Sequence, residues 1–572
     1  MSKLQYYKTE NCSQVFQSNY FYVPKFVTLH IKNEKWKETE NKYFTFLHYI
    51  FCFLLFAFFI LPSVQASDID NIKSKLEPGR SVEYINVKGK NIPLITKAQD
   101  ENVKNIQDSG KYEISYIISY KKFLSGAKID NLSKILNETN IKYAKVFRNG
   151  YFISLRTDYD KLKALLEVLS GVIEIQYVQE TPVKTINDNQ PKTTFDRSIS
   201  QKDVTQFSPD DPYFKDQWYL NNYNNPVLDL GYLGYKKYLT NPESKILQSN
   251  NNPPVVAIID VGIFYNTPEL KDRIYVNKGE IPNNGIDDDN NGYIDDYMGV
   301  DVGHPECSLE SCIDKYQEHH GTLMFSIMAA KSNNNLYMTG ILPDVIKVLP
   351  VSASNNYTQV DRYNEAYDYI LTMKKNGVNI ISVNVSAGGP FDPVENEYMQ
   401  KYLESDIMVI AAAGNNGKNL DKNPVYPANY NADNILAIGA MDEEGKPANF
   451  SNYGKSVDLY MPGYNIIAIT YPENIVTGAG TSQAAAVTSG VFGAAAYLYP
   501  ACSPLELKNL LLETAFNVGS FTVSRNINLR FLPANKTVYQ MNMAKISDIG
   551  GVGLITDGHL QSGGCSGNGI GY

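Results

Sequence analysis

Apolar residues follow two different rhythms along this chain. Between residues 111 and 179 they alternate with polar residues or recur every three to four positions. "YEISYIISY" (112–120) alternates and predicts a strand, while "IDNLSKILNE" (129–138) has helical spacing. "IKYAKVF" (141–147) and "YFISLR" (151–156) flank Asn149-Gly150, a hairpin turn pair. "DYDKLKALLEVL" (158–169) reads as an amphipathic helix behind an Asp cap, and "GVIEIQYV" (171–178) alternates again. The series strand, helix, strand, strand, helix, strand predicts a small ferredoxin-like α+β unit. From residue 254 the rhythm changes. "VVAII" (255–259), "IKVLPV" (346–351), "NIISVNVS" (379–386), "IMVIAAAG" (407–414) and "ILAIGAM" (435–441) are nearly continuous apolar runs. Strands without a polar face are buried on both sides. They predict an α/β fold, a doubly wound parallel sheet with "RYNEAYDYILTMKKNG" (362–377) and "EYMQKYLES" (397–405) among its helices. In such sheets ligands and catalytic groups gather at the carboxyl ends of the strands.

The remaining stretches mark boundaries. Residues 44–66, "FTFLHYIFCFLLFAFFILPSVQA", are long and apolar enough to engage a membrane and close on a small-x-small pattern resembling a signal-peptidase site. They read as a signal peptide or a signal-anchor, preceded by an unusually long polar stretch. A polar linker runs from about 180 to 209, and residues 550–572 are mostly small. The expected organisation is an extension over 1–66, the α+β unit with a cleavable linker over 67–209, the α/β domain over 210–548 and a Gly-rich tail over 549–572. A net charge of −9 offers no basic face for phosphate, which argues against a nucleic-acid partner. An exported chain meets an oxidising compartment, so Cys307 is expected to pair with Cys312 and Cys502 with Cys565, four free thiols being the other possibility.

Polar residues follow several of the strands directly. Asp260 closes "VVAIID", His320 opens "HGTLMFSIMAA", and Ser482 stands in "VTGAGTSQAAAVTSG". Singly, each has a structural reading: a turn acid, a buried histidine, a small residue that lets a helix pack closely. Together, in the order Asp, His, Ser, they match one of the chain orders in which a nucleophilic triad occurs. "VVAIIDVG", "HGT", "AAAGNNG" and "GTSQAA" resemble the four signature segments of the subtilisin-like serine proteases, the subtilases, with a likeness that extends over residues 211–547. "DPYFKDQWYL" (211–220) resembles the start of the family's mature domain.

That resemblance implies hydrolysis of peptide bonds. Ser482 would be the nucleophile, His320 its base, Asp260 the group that orients the imidazole, and Asn415 the oxyanion donor beside the Ser482 N–H. Thr481 is placed to cap the following helix. Polypeptide substrates would bind as an added strand along "NVSAGG" (384–389), through Ser386, Ala387 and Gly388, with "SASNNY" (352–357) a candidate second edge. Ala412 and Gly414 resemble a wall of the primary specificity pocket; tight sheet packing is the plainer reading of these small residues. By the same resemblance the ferredoxin-like unit would be a prosegment, making the chain a zymogen inhibited by its own propeptide; an accessory binding domain is the alternative.

Some positions depart from the family pattern. Val261 stands where Ser or Thr is usual, Met324, Phe325 and Ser326 replace smaller residues after HGT, and Ala486 replaces a Pro. They keep a second reading open, a protease-like scaffold that binds extended polypeptides without cutting them. "GIDDDNNGYIDD" (285–296) places Asp287, Asp289, Asn291, Gly292 and Asp295 at the spacing of the first part of an EF-hand-like loop, so a structural Ca²⁺ is expected there. Met298 occupies the position of the closing Glu, and a solvated acidic turn is the alternative. Glu269 resembles another family calcium ligand, by a weaker match.

Overall fold

Alternating and continuous apolar runs sort this chain into two main sheets. A computed structural model describes residues within 80–97, 114–180, 193–194, 208–233 and 252–531, with short gaps inside these ranges. The first sheet has six strands, β1 (Arg80–Val87), β2 (Lys90–Lys97), β3 (Ile114–Tyr120), β4 (Tyr143–Val146), β5 (Phe152–Thr157) and β6 (Ile175–Glu180), in the order β1-β2-β6-β3-β5-β4. Helix α1 (Gly126–Asn137) follows β3, and α2 (Tyr159–Leu169) follows β5. The Asp158 carboxylate accepts the Lys161 N–H and so starts α2, which buries Leu162, Leu165, Leu166 and Leu169. The β1–β2 hairpin adds two strands to those read from the sequence. Its turn, Lys88-Gly89, has φ of 49° and 81°, and lysine is not among the residues that normally announce such a turn.

A two-residue strand, β7 (Thr193–Thr194), precedes the second sheet. That sheet comprises β8 (Val255–Asp260), β9 (Val300–Asp301), β10 (Lys347–Ser352), β13 (Ile380–Val385), β14 (Met408–Ala412), β15 (Ile435–Met441) and β16 (Leu459–Pro462). The intervening β11 (Ser354–Asn355) and β12 (Val360–Asp361) form a separate antiparallel pair. Strand order is β16-β15-β14-β13-β8-β10-β9, every neighbour parallel. From β8 the chain moves to one side for β9 and β10, then returns to the other for β13 to β16. The carboxyl end of β8 is therefore the switch point at which such sheets open a crevice.

One face of this sheet carries α3 (His320–Ala329) and α6 (Thr481–Leu498), the other α4 (Tyr363–Lys375) and α5 (Pro393–Glu404). Every residue of α3 is buried, and so are nearly all of α6, so both run inside the domain without a polar stripe. Helix α5 begins earlier than its apolar spacing suggests, because the Asp392 carboxylate accepts the Val394 N–H and Pro393 occupies the first turn. A hairpin of β17 (Ile466–Thr470) and β18 (Asn474–Gly478) leads into α6, and β7 pairs with it, Thr193 opposite Thr477. Helix α7 (Pro504–Thr514) follows, started by a capping box between Ser503 and Glu506.

The α+β unit is docked on α4 and α5. Phe147 and Phe152 lie 6.3 and 6.1 Å from the Tyr398 ring. The Asn149 N–H donates to Asp368 Oδ1 (2.9 Å), Lys375 Nζ donates to Asn149 Oδ1 (2.8 Å) and Gln179 Nε2 to Asp392 Oδ1 (2.8 Å). Lys145 Nζ sits 3.1 Å from Glu365 and 3.2 Å above the Tyr293 ring. Cys502 is disulfide-bonded. Its expected partner Cys565, the pair Cys307 and Cys312, the apolar segment 44–66 and the tail lie outside the described residues. Among the described residues no helix is long and apolar enough to cross a membrane.

Candidate active site

Asp260 is the last residue of β8 and His320 the first of α3, and both are buried. They meet because Gly321 carries no side chain. A Cβ there would stand 2.4 Å from Ile263 Cγ1, 3.0 Å from Val261 O and 3.1 Å from Asp260 Cβ. The close approach lets the Gly321 N–H donate to Val261 O (2.8 Å), and Thr322 Oγ1 ties the same loop by donating to Gly262 O (2.9 Å) and accepting the Phe264 N–H (2.8 Å). Under these constraints His320 Nδ1 lies 2.7 Å from Asp260 Oδ1, which also accepts the Val261 N–H at 2.7 Å. Met324 and Phe325 point into the core and are fully buried, so their bulk is absorbed behind the histidine. Ser326 Oγ donates to Leu323 O and accepts the Ile469 N–H, pinning α3 to β17.

Ser482 is the second residue of α6. The N-cap is Gly480, one residue before the expected cap, and Thr481 is the first residue of the helix. The Thr481 N–H and hydroxyl both donate to Asn415 Oδ1 (2.8 Å each), and the Gly414 N–H donates to Thr481 Oγ1 (3.0 Å). Oδ1 is thereby fixed as the accepting end of the Asn415 amide and Nδ2 as its donor end. Ser482 Oγ donates to Ser386 O (3.2 Å), and Ser386 Oγ donates to Ser482 O (3.2 Å). The start of α6 is thus stitched to the loops after β13 and β14. Ser386, Ala387, Gly388, Ala412 and Gly414 line one cavity of about 390 Å³ together with Asn415 and Ser482. Lys418, Lys422 and Val425 also line it and were missed; they lie beyond the "AAAGNNG" segment, where no residue pattern singles them out. The strand bearing Ser354, on the candidate second edge, pairs with β12.

The acidic loop assembles a different set from the one its spacing suggests. Asp287 accepts the N–H groups of Asn291 (2.9 Å) and Gly292 (2.8 Å), and Asp295 those of Asn284 (2.9 Å) and Gly285 (3.0 Å). Those two carboxylates hold turns. Of the expected ligands only Asp289 joins a carboxylate cluster, with Glu280 and Asp296, whose nearest oxygens all lie within 4.8 Å of one another. Asn291 donates into it from Nδ2, to Asp289 (3.2 Å) and Asp296 (3.0 Å). Glu280 Oε2 is buried with no hydrogen-bond partner among the described residues. Burial pushes the Asp296 carboxyl up to about 6, Asp289 adding to the rise while hydrogen bonds from Tyr369 and Asn291 oppose it; burial also raises Glu280. An all-oxygen, carboxylate-rich set short of positive charge suits a hard cation such as Ca²⁺. Glu269 stands apart from this cluster and accepts from Asn334 Nδ2 at 3.4 Å.

Comparison with known proteins adds the family context. The subtilase family, peptidase S8, matches residues 251–543, just over half of the chain. Subtilisin DY of Bacillus licheniformis is 34% identical over 207 residues, covering 35% of this chain and 71% of its own length. The extracellular basic protease of Dichelobacter nodosus is 27% identical over 361 residues, 58% of this chain and 56% of its own. The chain spans about half the length of several other curated relatives it matches. The solved structure of the epidermin leader peptide processing serine protease of Staphylococcus aureus has a TM-score of 0.50 at 18% identity, over 76% of this chain and 99% of its own, a likeness of fold.

Proposed function

The chain belongs to the subtilase family of subtilisin-like serine endopeptidases, and from that premise we propose that it is a zymogen hydrolysing polypeptides through Asp260, His320 and Ser482. The observation that carries this reading is the 2.7 Å Asp260–His320 contact at the sheet's switch point, with Ser482 at the start of α6 lining one cavity with Asn415. Asp260 accepts the Nδ1–H and so fixes the tautomer whose Nε2 takes the Ser482 proton. The Ser482 oxygen attacks the peptide carbonyl, and the imidazolium then gives its proton to the leaving amine. Negative charge on the tetrahedral oxygen meets Asn415 Nδ2 and the Ser482 N–H. The positive end of an 18-residue helix favours the same charge.

Two features support the zymogen. The α+β unit is held on α4 and α5 by buried contacts, and the linker's β7 pairs with β18, which leads into the segment bearing Ser482. Export, by cleavage of the 44–66 segment or with it retained as an anchor, is part of the same reading. It fits an extracellular relative. Intact mass and amino-terminal sequence of the purified chain test the proposal. Wild type is expected to be cut within residues 181–207 and Ser482→Ala to stay whole. Identical cutting of both, or none, would overturn self-processing.

Glu280, Asp289 and Asp296 would hold a Ca²⁺, which would brace the loop after β8 and take no part in the chemistry. The pH dependence follows from Asp296. Its folded-state value of about 6 lies above the ordinary 3.8, so the folded chain keeps a proton that the unfolded chain releases. Without a cation, stability falls as pH rises through that window, by on the order of 3 kcal/mol. A cation prefers the ionised form. The Tm gain from added Ca²⁺ is therefore expected to be larger at about pH 7 than at about pH 5, and Asp296→Asn should shrink it. A gain equal at both pH values, or none, in a calorimetric scan contradicts the assignment.

A further inference from the structure

The cavity beside Ser482 has an unusual charge. Its walls are small residues, and Val425 closes in on them: a Cβ at Gly388 would stand 2.5 Å from Val425 Cγ1, and one at Gly414 4.0 Å from the same methyl. Among the described residues the charged ones in its lining are Lys418 and Lys422, both exposed, and none is acidic. Neither lysine forms an ion pair among the described residues. Asp421, in the same loop, turns Oδ1 to the Lys455 N–H (2.9 Å) and stays outside the lining. Two lysines therefore line the recess, and neither has an acidic partner among the described residues.

Resting on the reading of Ser482 as the nucleophile, this recess receives the side chain on the acyl side of the scissile bond. We propose that the chain cleaves after acidic residues, Asp and Glu, and discriminates against Lys and Arg at that position. A carboxylate entering the recess supplies the charge that Lys418 and Lys422 lack, whereas a cation meets two like charges. Val425 shortens the recess, which disfavours large aromatic side chains. One exposed ion pair gives a few-fold preference, so two together are expected to favour Glu over its neutral isostere Gln by roughly tenfold at low salt. The chain's own linker offers Asp188, Asp196 and Asp203 between residues 181 and 207, and self-processing is expected to follow one of them.

The test uses the full chain as purified, with peptides differing only in Glu, Gln, Lys or Phe before the scissile bond. The expected kcat/KM ranks Glu above Gln by about tenfold and Lys last. The Glu-to-Gln ratio should fall towards one at high salt and in the Lys418→Gln/Lys422→Gln double variant. Lys418→Glu/Lys422→Glu should invert the preference towards Lys. If wild type cuts Gln or Phe peptides as fast as Glu at low salt, the acidic preference is wrong while the endopeptidase reading stands. If no peptide is cut and Ser482 takes no covalent active-site label, the endopeptidase reading fails, and this inference with it.

Discussion

Replacing His320 by alanine is expected to lower kcat on a peptide substrate by on the order of 10⁶, with Ser482→Ala costing about the same and the double variant no slower than either. The non-additivity is the informative part. If His320 serves only to activate Ser482, removing the base leaves nothing for the serine to contribute. The physical basis is on one side of the imidazole: Asp260 Oδ1 sits 2.7 Å from His320 Nδ1 within a buried pair, and on the proposed reading the opposite nitrogen is the one that takes the Ser482 proton. A scaffold that only binds extended chains would lose no turnover in either variant. Steady-state kinetics on wild type and variants, each cut in the linker by the same added protease and then purified from it, would separate the two. Losses that simply multiplied would mean that the residues do not act as a unit.

The second large effect belongs to Asn415. Its loss as an oxyanion donor is expected to lower kcat by roughly 10² to 10³ with KM little changed, because the charge it meets develops only in the transition state. Asn415 also accepts two hydrogen bonds from Thr481, so alanine would disturb the start of α6 as well. Asn415→Asp distinguishes the roles. It keeps an oxygen acceptor for Thr481 but removes the Nδ2 donor and adds a negative charge where the oxyanion forms. Asn415→Asp is therefore expected to be at least as slow as Asn415→Ala, with unfolding temperature close to wild type. A fast Asn415→Asp would confine the residue to holding Thr481.

Much of this architecture is legible in the chain, for identifiable reasons. Strands buried on both faces have continuous apolar runs, so β8, β10, β13, β14 and β15 stand out, and acids or amides directly after such runs fall at one sheet edge. What is not legible depends on contacts between distant segments. Asp287 and Asp295 have the spacing of cation ligands, yet their oxygens are occupied by turn N–H groups; Glu280, outside the motif, joins Asp289 and Asp296 instead. Thr481 looks like a helix cap until Asn415, many residues away, claims its hydroxyl. Met324 and Phe325 look too large beside His320, but the core behind α3 has room for both. Lys418 and Lys422 resemble ordinary surface lysines, and only the fold turns them towards the recess beside Ser482.

Covalent labelling tests the central claim most directly. A fluorophosphonate that phosphonylates activated serines is expected to modify the wild-type chain once, at Ser482, as located by peptide mass. Labelling should be absent in Ser482→Ala and slowed by orders of magnitude in His320→Ala, since a serine hydroxyl is a poor nucleophile unless an adjacent base takes its proton as it displaces fluoride. No adduct at Ser482, or an adduct that forms equally fast without His320, would contradict the account.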